Sequence, residues 1–212
     1  MGLVSLFPTR VPRAQIPAGR GKRLLPALVR ESKLYREIDS DGVRWSKENY
    51  DSGYTSYSSI TDLAFRSSGF AELKRWIDSE VEKYARSLEL DLGDGRLEMS
   101  EFWVNVMGRG CRHPFHLHPL STVSGTFYLQ VPAGSGALKL EDPRLPSFMA
   151  SPPRKRGARI ENRRFFDLVP KAGELVLFES WLKHEVTVNR SSRERISASF
   201  NYDWVHSFDR SP

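Results

Sequence analysis

His113-Pro114-Phe115-His116-Leu117-His118-Pro119 is the stretch on which the reading of this chain turns. His116 and His118 are two residues apart. On a β-strand that spacing sends both imidazoles to one face and Leu117 to the other, toward a core. Two imidazoles on one face reach adjacent positions of one metal ion, and a third ligand then has to come from another strand. His184, at the end of Leu177-Phe178-Glu179-Ser180-Trp181-Leu182-Lys183-His184, is the natural candidate. The chain has five histidines, and four of them lie in these two places. Three ligands on one face of an octahedral ion leave three positions free for substrates. His-x-His alone is weak evidence, and taken by itself it is better explained by coincidence. A structural zinc site usually closes its sphere with a fourth ligand, often Cys. Here Cys111 is the only cysteine, so Asp142 or His113 would have to serve.

Eleven residues past His184 comes Arg195-Ile196-Ser197. Arg195, Ser197, Ser199 and Asn201 share one face of a strand; Ile196, Ala198, Phe200 and Tyr202 share the other. A polar stripe behind an apolar one is either a solvent edge or the lining of a cleft. In a cleft, the planar arginine fork matches a carboxylate with two hydrogen bonds, and a hydroxyl two residues on adds another.

The same period of two runs through the second half of the chain. Glu98 to Met107 reads as a strand. In Thr122 to Val131, Val123, Phe127, Leu129 and Val131 oppose Thr122, Ser124, Thr126 and Tyr128. Ala137–Leu140, Glu174–Phe178, Glu185–Val188 and Arg195–Tyr202 are further strands. The Pro-, Arg- and Gly-rich stretch from Pro143 to Arg164 reads as a long loop. Before them, Phe70, Leu73, Ile77, Val81, Tyr84 and Leu88 form one helical stripe, with Ser67 or Ser68 as its cap. A looser helix is expected over Lys22–Ile38, starting near Pro26. Asp51 to Tyr57 is too polar and turn-rich for a core element. Short strands after a helical start predict a mainly β fold, a sandwich or barrel with helices packed outside.

With 212 residues the chain suits one domain, 1–212, with a helical part over about 1–95 and a β core over about 96–206. No apolar run has membrane-spanning length, and the apolar start is too short for a secretory signal. Gly2 as a myristoylation site is disfavoured for want of a polybasic partner. A lone cysteine agrees with a reducing, cytoplasmic setting. The net charge of +6 is concentrated at Arg154, Lys155, Arg156, Arg159, Arg163 and Arg164. With only Phe165 and Phe166 nearby for base stacking, nucleic acid is disfavoured. A solvated loop is the plain reading, and an anionic small-molecule or carrier-bound substrate its functional competitor.

At these residues the chain resembles the 2-oxoglutarate- and iron-dependent oxygenases, and more closely a bacterial and phage subfamily whose substrates are largely unassigned. The resemblance is carried by Leu6–Thr9, His116–Pro119, Ser124–Leu129, Ser135-Gly136, Glu141–Arg144, Gly173–His184 and Arg195–Asn201. It implies a double-stranded β-helix, that is, a jelly-roll or cupin-like barrel. It also implies iron(II) as metal, with 2-oxoglutarate and dioxygen as co-substrates and a hydroxylated product. His116 and His184 match the family's first and last iron ligands. Arg195 and Ser197 match its grip on the far carboxylate of 2-oxoglutarate. Asn105 and Tyr128 match positions that often contact the oxoacid. A homodimer through the helical side is also suggested.

The family usually has Asp or Glu where this chain has His118, which adds one positive charge to the metal site; Asp142 is the alternative third ligand. Two rival readings follow: a three-histidine dioxygenase that does not use 2-oxoglutarate, and a cupin-like module with a non-catalytic metal. Arg195-Ile196-Ser197 favours the oxoacid, because a thiol dioxygenase has no use for a carboxylate clamp. Trp181 and the 143–164 loop are candidates to line or cover the substrate side, and Trp181 is equally a candidate core residue.

Overall fold

The computed structural model describes Gly2 and residues 4–206; Met1, Leu3 and residues 207–212, which include both ends of the expected 1–212 unit, lie outside the described residues. Two antiparallel sheets form the β part. The larger has the order β1 (Arg13–Gln15), β8 (Glu174–Glu179), β5 (Val123–Gln130), β10 (Arg195–Val205), β3 (Arg96–Met107), β2 (Gly53–Thr55). The smaller runs β4 (His113–His116), β9 (His184–Val186), β6 (Leu138–Glu141), β7 (Phe165–Leu168). Four helices precede β3: α1 (Ala18–Ile38), α2 (Ser40–Asn49), α3 (Leu63–Arg66) and α4 (Ser68–Ser87).

Strand alternation divides the molecule into two apolar layers. Val123, Phe127, Leu129, Leu175, Leu177, Ile196, Ala198 and Phe200 point outward from the larger sheet. They pack against Leu24 and Leu28 of α1 and Phe70, Leu73, Ile77 and Val81 of α4. Opposite faces of β5 and β8 supply Tyr128, Val176 and Phe178, which meet Leu138, Leu140 and Leu168 of the smaller sheet. Helices outside and a second sheet inside make this the double-stranded β-helix that the sequence led us to expect.

The stripe of α4 packs as its periodicity predicts, and Ser67 caps it, accepting from Gly69 N at 3.1 Å and Phe70 N at 3.2 Å. Ser67→Ala is expected to cost about 1 kcal/mol, read as a lower urea midpoint; an unchanged midpoint would show that water replaces the cap.

Several expectations need correction. Helix α1 begins at Ala18, and Pro26 lies inside it. The local start signal loses to packing, because Leu24 and Leu28, on either side of Pro26, are both buried. The 51–57 segment contributes β2, and Tyr54 is only 2% exposed. Its polarity is absorbed by a hydrogen-bonded hub: the Asp39 carboxylate accepts from Gly42 N, Tyr54 OH and Ser59 OH. Gly53 is needed there, since a Cβ would stand 2.7 Å from Cys111 Sγ. Helix α2 was not foreseen because it buries only Gly42 and Ser46 and so has no apolar stripe. β1 and β7 are three and four residues long, too short to show a period. Strand β4 stops at His116, so His118 lies past its end, and Leu117 is 44% exposed rather than in a core.

Candidate active site

Pairing of the smaller sheet brings the distant histidines together. His116 of β4 stands opposite His184 of β9. His118 joins them although it has left the strand, because its N–H donates to Ser180 O at 3.0 Å and anchors it to the turn before His184. One ring nitrogen from each of His116, His118 and His184 lies within 4.8 Å of the other two. His116 Nδ1 is 2.9 Å from Pro114 O, and His184 Nδ1 is 2.8 Å from Leu182 O. A carbonyl can only accept, so both Nδ1 atoms carry the proton and both Nε2 lone pairs are free. Fixing the tautomer through the other nitrogen is how metal-binding imidazoles are held. No fourth acid or thiol joins this cluster among the described residues. Asp142 stands apart, its carboxylate taken by Arg144 at 2.8 and 3.0 Å.

All four neighbouring histidines are held below their ordinary pKa by burial, which disfavours the imidazolium. His113 is pushed down to about 3 and His118 to about 4, with the positive charge of His116 adding to the effect. His184 and His116 are also lowered. Neutral rings are the form that can ligate a metal. The unfolded chain binds protons near the usual value of 6.5 while the folded chain refuses them. The iron-free protein is therefore expected to lose stability as pH falls from about 6.5 toward about 4. Urea melts across that range check this; a flat profile would show that the rings protonate in place.

The three histidines open onto a cavity of about 510 Å³ between the two sheets. Its other wall is the polar face of β10: Arg195, Ser197, Ser199, Asn201 and Asp203 all line it, as the alternation predicts. Arg195 is 1% exposed. Its guanidinium lies 5.0 Å from the Tyr128 ring centroid, and Nη1 reaches Met107 Sδ at 3.0 Å. Among the described residues Nε has no hydrogen-bond partner, nor has the buried Tyr128 hydroxyl. The adjacent Glu194 does not neutralise it, being paired with Lys33 and Arg36 of α1. A buried, unpaired guanidinium costs several kcal/mol in isolation, so its presence calls for an anion from outside. Asn105 also lines the cavity and donates to Ser199 Oγ at 3.2 Å. Behind Arg195, Tyr50, Met107 and Cys111 form a small apolar cluster, where burial pushes the Cys111 thiol up to about 11.

Sequence reasoning missed several cavity residues. His113 lies 4.0 Å, centroid to centroid, from His116 and lines the cavity; its sequence position suggests only a zinc ligand. Glu101 and Trp103 of β3 line it too. Their signal was present, since Glu101, Trp103 and Asn105 alternate with Phe102, Val104 and Val106. Conversely, Trp181 is 45% exposed, and neither it nor any residue of the 143–164 loop lines the cavity.

Residues 101–201 match the family model described as "Putative 2OG-Fe(II) oxygenase". Solved structures with the same fold include HygX from Streptomyces hygroscopicus with nickel, 2-oxoglutarate and hygromycin B bound. That comparison gives 17% identity and a TM-score of 0.60, covering 94% of this chain and 84% of the other. A Pseudomonas putida prolyl-4-hydroxylase is 20% identical, with a TM-score of 0.58 and 92% of each chain covered. A Trichoplax adhaerens prolyl hydroxylase in complex with a hypoxia inducible factor peptide fragment is 14% identical. Its TM-score is 0.58, with 91% of this chain and 83% of the other covered. No curated protein matches the chain by sequence. The matched stretch, just under half of the chain, spans the histidine cluster and the buried arginine, and over it the chain is similar to the 2OG-Fe(II) oxygenases, oxidoreductases that use iron(II), 2-oxoglutarate and dioxygen.

Proposed function

We propose that His116, His118 and His184 hold the iron(II), that Arg195 and Ser197 hold the far carboxylate of 2-oxoglutarate, and that the protein hydroxylates a C–H bond of a substrate in the same cavity. The observation that carries this reading is the buried Arg195, which has no acid partner among the described residues and faces a cavity walled by three neutral imidazoles. When bound, iron and 2-oxoglutarate supply the oxidation: the oxoacid loses carbon dioxide to become succinate, and the second oxygen atom of dioxygen goes to the substrate. The residues supply position and dryness. Arg195 offers a fork to the carboxylate, and Tyr128 packs under the guanidinium with its hydroxyl free to donate. Ser197, 2% exposed and two residues along the strand, adds a hydroxyl. Asn105, across from Ser197 on β3, is placed to contact the same molecule.

The three histidines leave part of an octahedral sphere open, which suits catalysis better than a closed structural site. HygX was crystallised with a small molecule and the Trichoplax enzyme with a peptide. A cavity of about 510 Å³ fits either a small molecule or one side chain of a carrier. Arg195 is the one Lys or Arg among its described lining residues, so the basic 143–164 loop would act on an anionic substrate only from outside.

Anaerobic titration of the iron(II) protein with 2-oxoglutarate tests the assignment. A visible metal-to-ligand charge-transfer band is expected in the wild type and not in Arg195→Met. A protein that binds iron at the histidines yet shows no band would overturn it in favour of an oxoacid-independent dioxygenase.

A further inference from the structure

The cavity is electrostatically divided, and the half that the oxoacid does not use is acidic. Resting on the reading that 2-oxoglutarate occupies the Arg195 end, we infer that the primary substrate is an organic cation, an ammonium or guanidinium group, received by Glu101 and Asp203 at the opposite end. Six residues of strand β10 separate Arg195 from Asn201, which on an extended chain is about 20 Å. Asn201 is paired in register with Glu101. The lining there carries two carboxylates, Glu101 and Asp203, and no Lys or Arg among the described residues.

Glu101 is held as part of a built site. Ser180 and Ser124 hydroxyls lie 2.7 Å apart, Ser124 Oγ donates to Asn201 Oδ1 at 2.8 Å, and Asn201 Nδ2 donates to Glu101 Oε2 at 2.6 Å. Ser180, Ser124 and Asn201 are 0, 1 and 3% exposed. This buried relay starts at the residue whose carbonyl anchors His118, so it fixes Glu101 relative to the metal ligands. One carboxylate oxygen is thereby aimed and the other, Oε1, is left for a ligand. Asp203 Oδ1 is buried with no hydrogen-bond partner among the described residues.

Between the acids and the histidines stands an aromatic wall. Trp103 lies 6.1 Å from the His118 ring and 5.0 Å, edge-on, from Tyr57. Tyr57 itself feels Glu101, whose charge, after the larger effect of burial, raises its phenol pKa. Aromatic faces beside carboxylates favour a cation over an anion or a neutral group of the same shape. A cation seated at Glu101 and Asp203 would lie with its carbon chain along Trp103, toward the histidines, where a C–H bond must be presented.

Calorimetric titration of the iron(II)- and 2-oxoglutarate-loaded protein, without oxygen, with hexylammonium, hexanoate and Nα-acetyl-lysine amide tests this. Hexylammonium is expected to bind roughly tenfold or more tightly than hexanoate, and the double variant Glu101→Gln/Asp203→Asn should lose that preference while keeping the wild-type 2-oxoglutarate band. Tighter binding of the lysine amide than of hexylammonium would assign the cation to a peptide side chain; the reverse would assign it to a free amine. Equal or better binding of hexanoate, an unchanged preference in the double variant, or no binding of hexylammonium would each overturn the inference. If the double variant does not fold, raising the salt concentration on the wild type serves in its place. Hexylammonium affinity must fall with salt while that of hexanol does not, and a salt-independent affinity overturns the inference. Absence of the 2-oxoglutarate band in the wild type would sink the oxoacid assignment alone, since cation binding at the acidic end is read separately.

Discussion

His184→Ala is expected to lower succinate release by on the order of 10³-fold, about 4 kcal/mol of transition-state stabilisation, and to let iron wash out on gel filtration. The size follows from the geometry. His184 is the only one of the three histidines that comes from β9, it is 4% exposed, and its tautomer is locked by Leu182 O. Removing it leaves two imidazoles from one short segment, and these reach one side of an ion only. Asp142→Asn is the matching control. Because Asp142 is bound to Arg144 outside the cavity, this change should leave iron content and succinate release at wild-type levels. Equal losses in the two variants would make Asp142 a metal ligand and displace one of the histidines from the assignment.

Arg195→Met separates binding from folding, because its two effects run in opposite directions. In the free protein the guanidinium is buried without an acid partner among the described residues, and replacing a buried charge by a well-packed apolar side chain of similar length is often neutral or stabilising, by about 1 to 4 kcal/mol. The melting temperature of the ligand-free variant should therefore hold or rise. Affinity for 2-oxoglutarate should fall by about 2 to 5 kcal/mol, the cost of truncating one partner of a buried charge pair. Thermal melts with and without 2-oxoglutarate measure both. Wild type should be stabilised by the oxoacid, and the variant should show no shift. A variant that melts well below the wild type and still responds to 2-oxoglutarate would mean that Arg195 is a structural residue.

Strand alternation made most of the β architecture legible. The parity of Arg195 to Tyr202 separates cavity from core as the residues suggested, and His116, His118 and His184 do converge. What escaped is what tertiary contacts decide. His118 reaches the cluster from outside its strand because a backbone hydrogen bond to Ser180 bends it in, and no residue pattern announces that bond. Tyr54 is buried through a hydrogen bond to Asp39, so a polar segment became an edge strand. The acidic end of the cavity was also hidden. Glu101 and Asp203 are distant in sequence and line one cavity because β3 and β10 are paired, with a register shift beside Asn201 where Ser100 also lines it. Net charge pointed the other way, since the positive excess sits on loop residues the cavity does not see.

The placement of β10 in the middle of the larger sheet has a consequence for how this protein can change. Odd-numbered residues from Arg195 to Asp203 face the cavity, and even-numbered residues from Ile196 to Tyr202 face the helices. A one-residue slip would exchange the two sets wholesale, so insertions and deletions here are closed to variation. Substitution is not: Ser199, Asn201 and Asp203 can be exchanged without disturbing a helix contact, so new substrate preferences are reachable one odd position at a time on an unaltered scaffold.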